Sequence, residues 1–561
     1  MASRYWVGGT ASWNGTAGTK WSTTSGGAGG AAEPTAADDV FFDANSGAVT
    51  VTVDTTPAVC NNLTFIGFTG TFTQAAGSLT ISGNLTAAAG MTWNFLTNKT
   101  FNATAAGKLI TSAGKDLGNL TFNGVGGSWI LQDNLPLSTA RTITLTNGTL
   151  DLNGKTVSAG EFSSNNGNAR TLTFNGGALN LAQTGGGGGA TWTVQTATNF
   201  TLNQGAGTIT VNTAGNVTID HGTTAGATEA NSPSIAITDT GALVIKGSLK
   251  DLTFNGGFVD TWNTEALTLY GSLTLAAGMT ISAGNNAITF AATSGTKTIT
   301  SNGKTIDCPV IFNGVGGTWQ LQDAATFGTS VPATRLTTLT NGTLDLNGKT
   351  LTTNRWVSSN ANARTVKSSV NGGKIVVTDT TAATTWNMAT PTNATIDRAS
   401  GTWTIEMAGN TANIRTFSGG GLTYPALTFT NTTANGELDF VGSNTFKSLS
   451  VSAPPQTLKF TAGTTTTVES DNGFPSGTAG NLVTIGTITV AQHALAKSGG
   501  GKISSDYLSI SRSDASPGTT WYAGTHSVDG GNNSGWSFTV PPISTTGLLP
   551  FLFPRGLGGH G

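Results

Sequence analysis

Asp133 and Asp323 each close the pattern Trp-x-Leu-Gln-Asp, and a pair of carboxylates can cleave glycosidic bonds by acid and base. They stand about 190 residues apart, so places in a ladder of stacked strands or on the surface suit them better than a shared site. Asn-Gly-Lys-Thr at 153–156 and again at 347–350 touches on phosphate-loop chemistry. That motif needs four residues between its glycines, and here five separate Gly148 from Gly154 and Gly342 from Gly348. No helical pattern follows either copy, so both are expected to be turns. Asp529-Gly-Gly-Asn-Asn-Ser offers oxygens to calcium but lacks the alternating acids and the closing bidentate carboxylate. An Asx-rich turn is expected there. The histidines are His221, His493, His526 and His560, none at zinc-ligand spacing from another. The expectation is no catalytic residue, no cofactor and no metal.

The elements that would position such residues are written twice. Leu120–Trp129 reads LTFNGVGGSW and Val310–Trp319 reads VIFNGVGGTW; each is followed by LTNGTLDLNGKT, at Leu145–Thr156 and Leu339–Thr350. Asn123 answers Asn313 and Lys155 answers Lys349, with about four extra residues in the second copy near Thr329–Pro332. Flanking segments match as well: Gly83…Met91 with Gly271…Met279, and Ser163-Ser…Arg170 with Ser358-Ser…Arg364. Within a copy, short runs such as Leu120-Thr-Phe122 and Thr149-Leu-Asp-Leu152 alternate apolar with polar residues, the period of a strand with one buried face. Asn-Gly and Gly-Gly pairs between the runs supply the backbone freedom of tight turns. No helix longer than a turn or two is predicted. Trp129 and Trp319 should occupy equivalent, at least partly buried places.

Composition agrees with stacking. Of 561 residues, 78 are glycine and only 10% are charged, against roughly 7% glycine and 25% charge in an average protein. Thr and Asn suit ladders of like residues on stacked strands. A net charge of −2 offers no basic field, which argues against nucleic acid as a partner. Cys60 and Cys308 are far apart; a disulfide between them is open in principle but not suggested by the sequence, and they read as small buried hydrophobes. The start, Met1-Ala-Ser-Arg-Tyr-Trp-Val-Gly-Gly, lacks the charged and apolar regions of a signal peptide, and no run reaches the roughly 18 apolar residues of a membrane span.

In chain order, residues 1–45 form an N-terminal segment in which Trp6, Trp13 and Trp21 crowd together. They are expected to cap the first coil of a solenoid, with docking or sugar stacking as a second role. Residues 46–250 and 251–386 carry the two copies, 387–540 finish the solenoid and cap it, and 541–561 are a Pro/Gly-rich apolar tail. Gly185–Gly189 is a hinge or a corner, and Pro454-Pro455 marks a boundary. In the tail, Leu548, Leu549, Phe551, Leu552 and Phe553 are interrupted by Pro550 and followed by Pro554. Proline keeps such a piece extended, so it is expected to lie in a groove of a partner or a sister copy, or to cap its own last coil.

Both ends then resemble something. The opening is Tyr5-Trp-Val-Gly-Gly-Thr-x-Ser-Trp-Asn, Lys20-Trp-Ser-Thr-Thr-Ser-Gly-Gly-Ala-Gly-Gly and Asp38-Asp-Val-Phe-Phe-Asp. The ending is Trp521-Tyr-Ala-Gly and Ser527-Val-Asp-Gly-Gly-Asn-Asn-Ser-Gly-Trp. Together they resemble a class of large Gly/Thr/Asn-rich repetitive proteins, many of them of tailed bacteriophages. The resemblance implies an all-β fold, an elongated parallel β-helix or β-solenoid, in a virion appendage, and brings no catalytic residue with it. The function expected is that of a structural virion protein made in the host cytoplasm: a tail fibre, spike or capsid-surface protein touching host-surface glycans. The alternatives are a glycan-depolymerising tailspike enzyme and a bacterial surface adhesin. Expected partners are other virion structural proteins, sister copies in a homo-oligomer (a trimer among the options) and host-surface polysaccharide, without nucleic acid or membrane insertion. Expected partner-binding residues are Trp6, Trp13, Trp21 and the five large apolar residues of the tail.

Overall fold

The computed structural model describes residues 1–542, apart from 15–17, 55–56, 98, 184–189, 214, 240, 259–260 and 329–333. The expected anchor residues Leu548, Leu549, Phe551, Leu552 and Phe553 lie outside the described residues, as do Gly185–Gly189 and the extra residues of the second copy. The described chain is a parallel β-solenoid of about 21 turns, with almost no helix. It divides into two compact units, Met1–Val376 with Thr392–Trp403, and Val377–Pro391 with the chain from Thr404 onward.

In the first unit the alternating runs become short strands, and register places each residue over its counterpart one coil earlier. Val40, Leu63, Leu85, Ile110 and Leu131 form one inward column, and all are at most 1% exposed. The outward neighbours Phe41, Thr64, Thr86 and Thr111 form the adjacent column. Each buried Val, Leu or Ile contributes about 1.5–3 kcal/mol, so the column rather than any local propensity holds strands this short. Asn153, Asn175, Asn199 and Asn347 turn the corners in the left-handed backbone region, which asparagine tolerates best among residues with a side chain.

The first coil is closed rather than left open. Ser3–Trp6 pairs in parallel with Asp39–Asp43 and antiparallel with Trp21–Ser22, so the returning segment covers the edge that would otherwise template another chain. Trp6, Trp13 and Trp21 are 0%, 1% and 3% exposed. Trp21 meets Trp6 edge-on at 5.0 Å and Trp13 at 4.9 Å, with Phe42 beneath. The three indoles form an aromatic cap, and none presents an open face to a partner or a sugar ring.

The two copies fold alike. Leu120–Leu131 and Val310–Leu321 bury the same positions, and their register shifts fall at the same place, around Asn123 and Asn313. Trp129 and Trp319 are both 0% exposed, 5.1 Å from Phe122 and 5.4 Å from Phe312. The next coil passes directly over this corner. A Cβ on Gly148 would lie 2.5 Å from the Gly127 carbonyl, and one on Gly342 would lie 2.4 Å from that of Gly314. Glycine is required there for close approach as well as for its φ of 76° and 80°.

The second unit repeats the principle with its own columns. Phe417, Phe440 and Phe460 stack at 5.8 and 5.1 Å, beside Leu438, Leu458, Ile485 and Ile510 in register. Pro454-Pro455 falls at a corner between Leu449–Val451 and Gln456–Phe460. Near its end Trp521 and Trp536 meet at 5.1 Å.

Candidate functional site

The residues singled out for chemistry hold corners together. Asp133 accepts the backbone N–H groups of Ser112 (2.8 Å) and Ala113 (2.6 Å), and Asp323 accepts those of Ser301 (2.8 Å) and Asn302 (2.5 Å). Each carboxylate thus fixes the turn of the preceding coil. Asn153 and Asn347, in the two Asn-Gly-Lys-Thr segments, donate their backbone N–H to Asp151 and Asp345 at 2.8 and 2.9 Å, which makes both segments Asx turns. Asp529 accepts from Gly531 N (2.9 Å) and Asn533 Nδ2 (2.6 Å) and closes a turn of the same kind. Cys60 and Cys308 are buried free thiols, and burial pushes Cys308 up to about 12 and Cys60 higher still. His221 and His493 lie inside the solenoid, where burial holds both down to about 4. His526 stacks on Tyr507 at 4.6 Å and contacts Asp506 through Nδ1 at 2.7 Å; His560 lies outside the described residues. No group of three or more His, Cys, Asp or Glu among the described residues is placed to hold a metal ion.

Sequence matching recovered Arg170 and Arg364 without a role for them. Both are 2% exposed. Arg170 Nε donates to Ser164 Oγ at 2.7 Å, and its other nitrogens reach the carbonyls of Ser164, Asn168, Thr196 and Thr198. Arg364 repeats this with Ser358, Asn362 and Thr392. The anchoring serine precedes the arginine by six residues in both, so the structure aligns Ser164, rather than Ser163, with Ser358. These arginines are staples between coils.

One face of the first unit is built differently. Val217–Ala225, Leu243–Leu249 and Thr261–Leu269 lie side by side. Ile245 faces Thr264 but Gly247 faces Leu267, so Glu265 and Ala266 stand opposite Lys246 alone. Such a bulge re-aims side chains, and here it leaves Glu265 beside Lys246 on a groove of about 530 Å³. Lys246 Nζ lies 3.0 Å from Asp220 Oδ2. Asp220, 1% exposed, also accepts from Gln195 at 2.8 Å and Thr223 at 2.6 Å. Residues 226–234 form a strap. Asn231 Oδ1 accepts from Thr228 N (2.8 Å), and Ser232 Oγ donates to the Thr228 carbonyl (2.7 Å) and meets Ser248 Oγ (2.9 Å). At the strap's tip Glu229 accepts from Thr293 Oγ1 at 2.5 Å, several coils farther on. Burial, then the nearby Glu229, pushes the Tyr270 phenol above its ordinary value. Nothing in the sequence marked this groove, because its bulge and strap use the same Gly, Thr and Asn as every other corner.

The chain matches no family profile, no curated protein and no solved structure. No helix among the described residues is long and apolar enough to cross a membrane.

Proposed function

We propose that the chain is a non-catalytic structural protein of a tailed-bacteriophage particle, a solenoid scaffold in a tail fibre, spike or capsid surface. Its face around Lys246, Glu265 and Tyr270 meets host-surface glycans. The observation that carries this reading is the use made of the duplicated block. Asp133, Asp323, Arg170 and Arg364, the groups there with the most chemical potential, are all engaged in bonds between coils. A chain that repeats such a block repeats a load of stacking contacts rather than a reaction centre. The resemblance of both ends to phage proteins supplies the setting, with other virion proteins and sister copies as partners.

Antibody labelling of purified particles by electron microscopy tests the placement. Label on the tail or capsid surface is expected, and particles that never carry the chain contradict the proposal. Incubation with host polysaccharide should release no sugar; release would replace the scaffold reading with a depolymerase. Deleting residues 547–561 should abolish incorporation or oligomerisation while leaving the fold intact. A deletion variant that assembles normally and only melts lower removes the anchoring role.

A further inference from the structure

The groove is open to solvent and lined by both polar and apolar groups. Its volume of about 530 Å³ falls within the roughly 300–1,000 Å³ of small-molecule pockets. Its strap is tied down through Asn231, Ser232 and Glu229, so a ligand would pay little to order it. Thr268 and Thr289 line it with hydroxyls that exchange hydrogen bonds with those of a ligand, while Ser248, also in the lining, is 3% exposed and bonded to Ser232; Tyr270 adds an aromatic side chain of the kind that packs against the C–H faces of a sugar ring.

Charge narrows the ligand further. Lys246 is matched by Asp220 at 3.0 Å. Glu265 and Glu229 have no cationic partner among the described residues; their bonds come from the Asn286 amide at 2.9 Å and from Thr293. Two carboxylates are left over around the groove, a field that repels acidic sugars and attracts an ammonium group. The aromatic face of Tyr270 favours a cation in the same way. We infer that this groove binds a saccharide carrying a free amino group, the ammonium facing Glu265 and a ring packed on Tyr270. This assignment rests on the reading of the same face as the glycan contact.

Calorimetric titration of the full-length protein with glucosamine tetrasaccharide, its N-acetylated counterpart and spermine tests it. One charge-assisted hydrogen bond is worth about a tenfold change in affinity or more. The amino tetrasaccharide should therefore bind at least about tenfold more tightly than the acetylated one, and Glu265→Gln should remove that preference while leaving the unfolding midpoint unchanged. Tyr270→Ala should weaken both sugars. Equal binding of the two tetrasaccharides, or no binding of either, overturns the inference. Spermine binding as tightly as the sugar overturns the saccharide part. Particle labelling does not depend on the groove: loss of labelling with binding intact removes only the virion placement, and loss of binding in a chain that still enters particles removes only the groove.

Discussion

Arg170 places a guanidinium inside the wall of the solenoid with no carboxylate beside it among the described residues; its partners are the Ser164 hydroxyl and the Ser164 and Asn168 carbonyls of its own coil and the Thr196 and Thr198 carbonyls of the next. The arrangement works because one planar group with five donors can satisfy several carbonyls that the corner leaves unpaired. Removing it strands them. Arg170→Met should lower stability by at least about 3 kcal/mol in a denaturant titration, and Arg170→Lys should recover only part of that. Buried histidines give a second residue-scale effect. Burial holds His221 and His493 near 4, below the ordinary 6.5 or so of the unfolded chain. Between these values the unfolded chain binds more protons, so the stability they contribute is complete above about pH 6.5 and is lost as pH falls toward 4. Each loss is on the order of 3 kcal/mol at most. Unfolding midpoints measured from pH 7 to 4 should fall accordingly, and His493→Phe, packed against Phe460 at 4.9 Å, should flatten part of that fall. Sequence showed where these residues stand but not what they do, because an arginine among carbonyls and a histidine in a core have no spacing signature.

At the scale of the element, the corners decide the fold, and glycine does two different jobs in them. Gly148 has a φ of 76° and carbonyls 2.5 and 2.6 Å from where a Cβ would be. Gly176 has a φ of 84° and nothing within 4 Å. Gly176→Ala therefore measures backbone strain alone, at about 1 kcal/mol, and Gly148→Ala should cost clearly more in the same assay. The turn that Asp133 fixes contains Ala113 at a φ of 50°, where the second copy has Asn302 at 47°. Relieving that strain by Ala113→Gly should raise stability by about 0.5–1 kcal/mol. The strand alternation and the Asn-Gly turns were legible because a period of two and a left-handed asparagine are local properties. The bulge at Glu265 and the strap at 226–234 were not. A bulge is a mismatch between two strands, and no single stretch of sequence records it.

At the scale of the molecule, the two copies of the block lie within the first unit. Leu120 and Val310 are eight parallel pairings apart, through Ile143, Phe162, Trp192, Ile219, Ile245, the bulged strand Thr261–Leu269 and Ile288. At about 4.8 Å per pairing they are separated by on the order of 38 Å. The duplication, the all-β class and the cap of tryptophans were all readable from spacing and composition. Sites this far apart do not share partners, so their effects on stability should add. The repeated carboxylates Asp133 and Asp323 hold neighbouring coils together. The most direct test of that role compares Asp133→Ala, Asp323→Ala and the double variant by denaturant unfolding, alongside sugar release from host polysaccharide. Losses of about 1.5 kcal/mol are expected for each single change, with their sum for the double and no sugar release from any form including the parent. A parent that releases sugar, with release abolished in variants of unchanged stability, would contradict that role.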